Sequence, residues 1–291
     1  MTTLTTNDKL SANILMTEPK IGIYDFDNYF EGISGITKSN AIVADENLKI
    51  AIVGKQKVGK SWLTTTAPQP ILIYDFDGRA ESIRDKPGVA IKTLKDESQA
   101  NPNSMKVIES DLSTFKYRKQ QGKPIPRTFG FDSVTYMKKF IENELMSQMG
   151  PGYYRVVRVT PTTSLRIPQG WDVINGVEGY LLYLISEFSA LGNIIFVFHE
   201  KNEKDVAEST EKLTKYTSQY TVDPQYLAKI LSKFNEVFRI EIDSSQNYIV
   251  TCKPSYEFNA STTLLIDAKE KPNLMDMIAK HKQRLELQNK K

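Results

Sequence analysis

Glycine, lysine and serine stand at fixed spacing between residues 54 and 61, where the sequence is Gly-Lys-Gln-Lys-Val-Gly-Lys-Ser. This order matches the pattern G-x-x-x-x-G-K-[ST] of a phosphate-binding loop. Glycines at both ends let the backbone wrap tightly and point its N–H groups at an anion. Lys60 is then placed to reach the β- and γ-phosphates of a nucleotide, and the Ser61 hydroxyl is placed to hold Mg²⁺.

The elements around this loop must hold it in place. An apolar run that begins at Lys49 predicts a short buried strand, and Ser61–Thr66, closed by Ala67-Pro68, predicts a helix. A strand, a loop and a helix in this order favour nucleotide binding over the alternative, a glycine turn with incidental lysines. The predicted nucleotide-binding residues are Gly54, Lys55, Gln56, Lys57, Val58, Gly59, Lys60, Ser61 and Trp62.

Carboxylates follow two further apolar runs. Asp75 and Asp77 come after the run Pro70–Tyr74, and Asp132 ends an apolar run over 127–131. Open α/β sheets bind their ligands at the carboxyl ends of strands, so these acids are candidates for the site. Asp132 has the setting of the acid that orients Mg²⁺ in a P-loop NTPase, opposite the serine of the loop. A turn or a helix cap is the alternative role for Asp75 or Asp77.

A histidine follows a fourth apolar strand, Asn193–Glu200. A lone histidine usually has a structural role, and that alternative stays open here. At the tip of a strand in this kind of sheet, however, His199 points at the edge where the nucleotide lies. We therefore predict that His199 senses the γ-phosphate.

Composition limits the class of protein. The chain has 291 residues, 40% of them hydrophobic, which is enough for one large α/β domain with an appendage or for two small domains. No apolar run reaches the roughly 18 residues of a membrane span, and the first residues lack the pattern of a signal peptide, so we expect a cytoplasmic protein. The single cysteine, Cys252, suits a reducing compartment. A net charge of +3 means that any nucleic-acid contact must come from local patches.

Hydrophobic spacing predicts the remaining elements and the division of the chain. We expect a partly ordered N-terminal arm or extension over residues 1–48, a core over 49–270, and a C-terminal helix with a basic tail over 271–291. In the arm, the aromatic stretch Ile21–Phe30 either packs over the domain edge or docks on a neighbouring subunit. The residues between Asp85 and Lys123 are expected to be polar and patchy, with a short strand over 88–91. Helices are predicted over 136–149, 171–191, 222–234 and 274–287, and strands over 236–242 and 248–253.

Arginines and tyrosines are interleaved in a stretch that is predicted to be irregular, Gly150–Gly170. Aromatic rings stack on bases and guanidinium groups meet phosphates, so this composition suits single-stranded nucleic acid. An ordinary surface loop is the alternative. A charged loop or hairpin is predicted over 201–219. The candidate DNA-binding residues are Tyr153, Tyr154, Arg155, Arg158, Arg166, Lys201 and Lys204.

Taken together, the strand ends resemble the RecA-type recombinase core over residues 49–278, and in particular the bacteriophage RecA-like ATPases that include phage single-strand annealing proteins. Besides the phosphate loop, Tyr74–Gly78 resembles the strand ending in Asp-x-Glu-Gly, and Phe131–Thr135 resembles the strand of the second acid. Phe198–Glu200 and Gln169–Asp172 also look like this group. Three departures matter: Asp77 stands where glutamate is common, His199 replaces the usual amide, and the N-terminal segment shows no clear polymerisation motif.

The resemblance implies an α/β fold, a mostly parallel sheet flanked by helices with an antiparallel C-terminal edge. It implies an ATPase that uses ATP and Mg²⁺, acts on single-stranded DNA in phage recombination or replication, and forms a ring or a filament. A single-stranded DNA-binding protein is a further expected partner. By the same resemblance, Asp77 activates or aligns water, Ser61 and Asp132 hold Mg²⁺, and Lys253 contacts the nucleotide of a neighbouring subunit.

Two other functions remain open at this point. One is a helicase loader or helicase-like motor, although no clear arginine finger is evident. The other is a nucleotide-gated assembly protein that does not bind DNA, which the near-neutral charge permits.

Overall fold

A mostly parallel sheet dominates the computed structural model, which describes residues 47–94, 102–158, 164–169, 171–202, 220–222, 227–255 and 258–289. The chain divides into two units, Met1–Glu46 and Asn47–Lys291, and every described residue belongs to the second. The aromatic stretch Ile21–Phe30 therefore lies outside the described residues.

Within the described part of the chain, nine strands form the main sheet and two form a separate hairpin. The strands of the sheet are β1 (Lys49–Gly54), β2 (Ile71–Asp75), β3 (Val89–Thr93), β4 (Thr128–Asp132), β7 (Asn193–Asn202), β8 (Tyr220–Val222), β9 (Glu236–Ile242), β10 (Tyr248–Thr251) and β11 (Lys269–Glu270). The strands of the hairpin are β5 (Tyr154–Arg158) and β6 (Ser164–Pro168).

The strand order is β11-β10-β9-β1-β7-β4-β2-β3, and β8 pairs with β7 off this path. The six strands from β9 to β3 run parallel to one another, whereas β10 and β11 form an antiparallel edge and β8 pairs antiparallel with β7. This topology confirms the predicted RecA-like α/β fold with an antiparallel C-terminal edge. The parallel order also brings the carboxyl ends of β1, β2, β4 and β7 to one edge of the sheet.

The central strands are apolar on both faces because helices cover the sheet on both sides. Successive residues of β1 enter different clusters: Ala51 and Val53 pack with one set of helices, and Ile50 and Ile52 pack with the other. The described helices are α1 (Lys60–Thr64), α2 (Ser104–Gln120), α3 (Val134–Met149), α4 (Trp171–Ser189), α5 (Ala228–Leu231) and α6 (Leu274–Asn289).

Several predicted elements were wrong. The region expected to be polar and patchy contains the long helix α2, which buries only a thin stripe at its N-terminal end. The stretch expected to be irregular forms the β5–β6 hairpin. Among the described residues of the helix expected over 222–234, Ala228–Leu231 form α5, whereas Val222 lies in β8. The strand expected to reach Lys253 ends at Thr251.

Candidate nucleotide-binding site

The loop between β1 and α1 has the tight path that its glycines predict. Gly59 has a φ of 89°, in the left-handed region that glycine adopts without strain. Gly54 lies so close to β9 that a Cβ atom there would be 2.6 Å from the carbonyl oxygen of Ile240. Helix α1 begins at Lys60 and ends at Thr64, one residue earlier than predicted at its start and two at its end.

The Lys60 side chain folds back over this loop. Its Nζ atom donates hydrogen bonds to the carbonyl oxygens of Gly54, at 2.9 Å, and of Lys55, at 2.5 Å. Burial lowers the pKa of Lys60 to about 8, although the nearby carboxylates of Asp132, Glu200 and Asp77 oppose this shift. The ammonium group is therefore close to losing its proton at mildly alkaline pH.

Ser61 and Asp132 meet directly although 71 residues separate them. The serine hydroxyl donates a hydrogen bond to the Oδ2 atom of Asp132. Burial raises the pKa of Asp132, while the hydrogen bond from Ser61 and the charge of Lys60 act in the opposite direction. A hydroxyl and a carboxylate in contact beside a phosphate loop are the ligands that Mg²⁺ takes together with phosphate oxygens.

The two acids that follow β2 have different positions. Asp75 is buried in register with Asp132, and its Oδ1 atom accepts a hydrogen bond from the backbone N–H of Gly78 at 2.9 Å, so it shapes the turn. Asp77 faces the cavity described below, and its Oδ1 atom accepts a hydrogen bond from the N–H of Arg79 at 3.2 Å. Burial, followed by the charge of Asp132, raises the pKa of Asp77 to about 6.

His199 lies at the same sheet edge because β7 runs parallel to β1, with His199 in register with Gly54. The backbone N–H of His199 donates a hydrogen bond to the Oγ1 atom of Thr135 at 3.0 Å. Its ring meets the ring of Tyr136 edge to face at 5.7 Å between centroids. Helix α3 therefore fixes the position of the strand tip that carries this histidine.

One cavity of about 630 Å³ joins these groups. Most of the predicted site residues line it, namely Gln56, Lys57, Gly59, Lys60, Ser61, Trp62, Asp77, Asp132 and His199. Lys55 and Val58 of the loop instead line a smaller cavity of about 310 Å³, and Gly54 lines neither.

Sequence reasoning missed five residues of the larger cavity: Arg79, Ser82, Ile240, Tyr248 and Pro272. The Tyr248 ring is 3.6 Å from the point where a Cβ atom on Gly59 would lie, so an aromatic face flanks the phosphate loop. Arg79 directly follows the Asp-Phe-Asp-Gly stretch, and this proximity to Asp77 was the one available signal for it. Ile240, Tyr248 and Pro272 come from β9, from β10 and from the segment before α6. No sequence motif surrounds these residues, so no signal in the sequence pointed to them.

The candidate DNA-binding residues lie elsewhere. Tyr153 precedes the hairpin, and Tyr154, Arg155, Arg158 and Arg166 lie on it; the guanidinium of Arg166 is 4.9 Å from the ring centroid of Tyr154. Lys201 belongs to β7, and Lys204 lies outside the described residues.

Lys253 is exposed and does not line the cavity that contains Lys60. It lines another cavity, of about 670 Å³, together with Arg284 and Leu287. A contact between Lys253 and the nucleotide of its own chain therefore has no support from this position.

The donor set fits a triphosphate with Mg²⁺. Among the described residues, no group of three or more His, Cys, Asp and Glu side chains is arranged to hold a metal ion. Mg²⁺ is commonly bound through one or two protein groups plus substrate phosphates, so the pair Ser61 and Asp132 suffices. Among the described helices, none combines the length and the apolar character that crossing a membrane requires.

The fold and this site define a P-loop ATPase with a RecA-like core. A family model described as AAA domain matches residues 46–270. The chain therefore belongs to the AAA domain family. It is also similar to the crystal structure of a KaiC-like protein from the hyperthermophilic archaeon Pyrococcus horikoshii OT3, with 10% sequence identity and a TM-score of 0.35 over 74% of this chain and 82% of that one. A comparison with curated proteins gave no match.

Proposed function

We propose that this protein binds and hydrolyses ATP with Mg²⁺ and acts on single-stranded DNA as a cytoplasmic homo-oligomer, in recombination or replication of a bacteriophage. One observation carries the nucleotide part of this proposal. Lys60, Ser61, Asp77, Asp132 and His199, which come from four strand ends, line the same cavity. An anion-binding turn alone does not need two acids and an imidazole at neighbouring strand tips.

Each residue has a distinct role in this proposal. Lys60 and the N–H groups of the loop bind the phosphates, and Ser61 with Asp132 holds Mg²⁺. Mg²⁺ supplies electrostatic stabilisation of charge on the phosphate oxygens. Asp77 orients a water molecule and accepts its proton, for which a pKa of about 6 is suitable at neutral pH. His199 contacts the γ-phosphate. Positioning and electrostatics, without a covalent intermediate, lower the barrier.

The hairpin supports the DNA part of the proposal. Arg155 and Arg158 lie at exposed positions of the hairpin, where guanidinium groups can meet phosphates, and Tyr154 adds an aromatic ring beside Arg166. Lys253 is exposed and lies away from the nucleotide cavity of its own chain. This position is compatible with a contact to the nucleotide of a neighbouring subunit in a ring or a filament. A single-stranded DNA-binding protein is a further proposed partner.

Phosphate release from ATP tests this function. We expect Mg²⁺-dependent release by the full chain, stimulation by a single-stranded oligonucleotide, and loss of release in Lys60→Ala with the fold intact by circular dichroism. Binding of the labelled oligonucleotide at two salt concentrations, with and without ATP, tests the DNA part separately. No oligonucleotide binding in either state would refute the DNA part alone. Strand displacement on forked DNA without annealing would indicate a helicase-like motor instead.

A further inference from the structure

A buried charge cluster lies across the end of β1, next to the phosphate loop. Strands β9 and β7 flank β1 on its two sides, with Arg239 in register with Val53 and His199 in register with Gly54. Glu200 directly follows His199. The Arg239 side chain therefore spans from one neighbour of β1 to the other at the point where the loop begins.

The contacts of Arg239 are those of a clamp. Its Nε atom donates a hydrogen bond to Oε2 of Glu200 at 2.8 Å, and its Nη2 atom donates one to Oε1 of the same carboxylate at 3.2 Å. Its Nη1 atom donates a hydrogen bond to Oε2 of Glu241 at 2.5 Å. The planar guanidinium fits such two-point contacts, and a lysine ammonium does not.

This cluster is more buried than an ordinary ion pair. The side chains of Arg239 and Glu200 are only 7% and 1% exposed. A buried ion pair gives little net stability compared with apolar side chains of similar volume, because both charges lose their hydration. A gain in stability is therefore a weak explanation for this buried ion pair. A role in positioning the strand end beside the phosphate loop explains it better.

The cluster also lies against the nucleotide cavity. Glu200 is close enough to Lys60 to favour the charged form of the lysine. The smaller cavity is lined by Arg239, Glu200 and Glu241 together with Lys55 and Val58 of the loop. From Glu200 onward, β7 pairs with β8. The strand tip that carries His199 is thus held by Arg239 at the next residue.

We propose that Arg239 is a positioning residue, which clamps Glu200 and thereby fixes His199 at the γ-phosphate end of the nucleotide cavity. This inference rests on the function proposed above. Lys60 and the loop amides contact the β-phosphate, which ATP and ADP share, whereas His199 contacts only the γ-phosphate. Loosening the clamp therefore weakens the preference for a triphosphate and leaves ADP affinity in place.

The test compares the affinities of the full chain for ATPγS and for ADP by calorimetry, so that it needs no turnover. In Arg239→Lys, we expect the ratio of ADP to ATPγS dissociation constants to fall by about tenfold, the size of one lost charge-assisted hydrogen bond, while ADP affinity stays within about twofold. His199→Ala should lower the ratio similarly, and the double variant should lower it no further. Arg284→Lys, a change in an exposed ion pair with Asp267, is the matched control.

Two further results decide the matter. If Arg239→Lys does not fold, the neutral pair Glu200→Gln with Arg239→Gln replaces it, since both amides retain hydrogen-bonding groups without an unpaired buried charge. An unchanged ratio in a folded variant, or additive effects of Arg239→Lys and His199→Ala, would overturn the positioning role but leave the proposed function standing. A wild-type chain that binds neither nucleotide would refute both.

Discussion

The Nζ atom of Lys60 donates a hydrogen bond to the carbonyl oxygen of Gly54 at 2.9 Å, across its own phosphate loop. A second bond, to the carbonyl oxygen of Lys55, brings the number of occupied donors to two, so one of the three donors of the ammonium group remains for a phosphate oxygen. The loop carbonyls thus hold the charged lysine in place until an anion arrives.

Nucleotide affinity should fall as the pH rises into the alkaline range. Burial lowers the pKa of Lys60 to about 8 in the free protein, and a bound phosphate favours the charged form and raises it. Affinity is therefore full below pH 8 and falls as pH rises through it, by up to about tenfold per pH unit. Titration with a fluorescent nucleotide between about pH 6.5 and about pH 9.5 measures this slope. Constant affinity over that range would contradict the role of Lys60.

Asp77→Asn should lower hydrolysis by about 100-fold or more and leave nucleotide affinity nearly unchanged, because it removes the proton acceptor and keeps the shape. In the wild type, the rate should fall as pH drops through about 6, where Asp77 takes up a proton. The variant should also be more stable than the wild type above that pH, since the folded state no longer holds a half-buried charge. Single-turnover rates and denaturant titrations check both. Equal rates in the two proteins would exclude Asp77 as the base.

Tyr248→Ala should weaken nucleotide binding by about fivefold to 100-fold, the range expected for one lost stacking contact with a base. Tyr248→Phe should bind almost as well as the wild type, since the ring supplies the contact. Tyr117→Ala, on the exposed face of α2, is the control. Calorimetry with ATP and with inorganic triphosphate separates base from phosphate contacts. An equal loss of affinity for ATP and for inorganic triphosphate would show that the base does not stack on Tyr248.

Arg155→Ala and Arg158→Ala should each weaken binding of single-stranded DNA and reduce the slope of log affinity against log salt by about 0.7. The reason is that a variant with one arginine fewer neutralises one phosphate fewer, so its binding releases one counterion fewer from the DNA. Arg118→Ala, at an exposed position of α2, serves for comparison. Fluorescence anisotropy at several salt concentrations gives the slopes. Slopes that match that of Arg118→Ala would show that the hairpin does not bind DNA.

Gly54→Ala should lower the free energy of unfolding by about 1–3 kcal/mol, because its Cβ atom would meet the backbone oxygen of Ile240 at 2.6 Å. Gly152→Ala is the control, since no atom lies within 4 Å of its added Cβ. Denaturant melts of the two variants provide the comparison. Equal unfolding midpoints for the two variants would mean that β9 can move away from the added Cβ atom without a loss of stability.

The phosphate loop was predictable from sequence because its chemistry is local, and the strand tips with Asp77, Asp132 and His199 were predictable because apolar runs ending in polar residues indicate a parallel sheet. Tyr248 and Pro272 were not, since they reach the cavity only through the return of the chain along the antiparallel edge. The pairing of Arg239 with Glu200 was equally hidden, because it depends on β7 and β9 both neighbouring β1.

Two of the wrong secondary-structure predictions, those for α2 and for the β5–β6 hairpin, share a physical cause. Helix α2 buries few side chains, so its sequence lacks the broad apolar stripe that indicates a helix. The β5–β6 hairpin has exposed apolar and basic side chains, such as Val156 and Arg155, and no strictly buried face. Where packing does not divide residues into inside and outside, the sequence carries no periodic signal.

The position of β9 beside β1 has a consequence for synthesis of the chain. Strand β1 is translated well before one of its two neighbours, Glu236–Ile242. Until that segment leaves the ribosome, an apolar strand has an open edge that other nascent chains can pair with. Chaperones that cover this edge during translation should therefore decide how much protein reaches the native state.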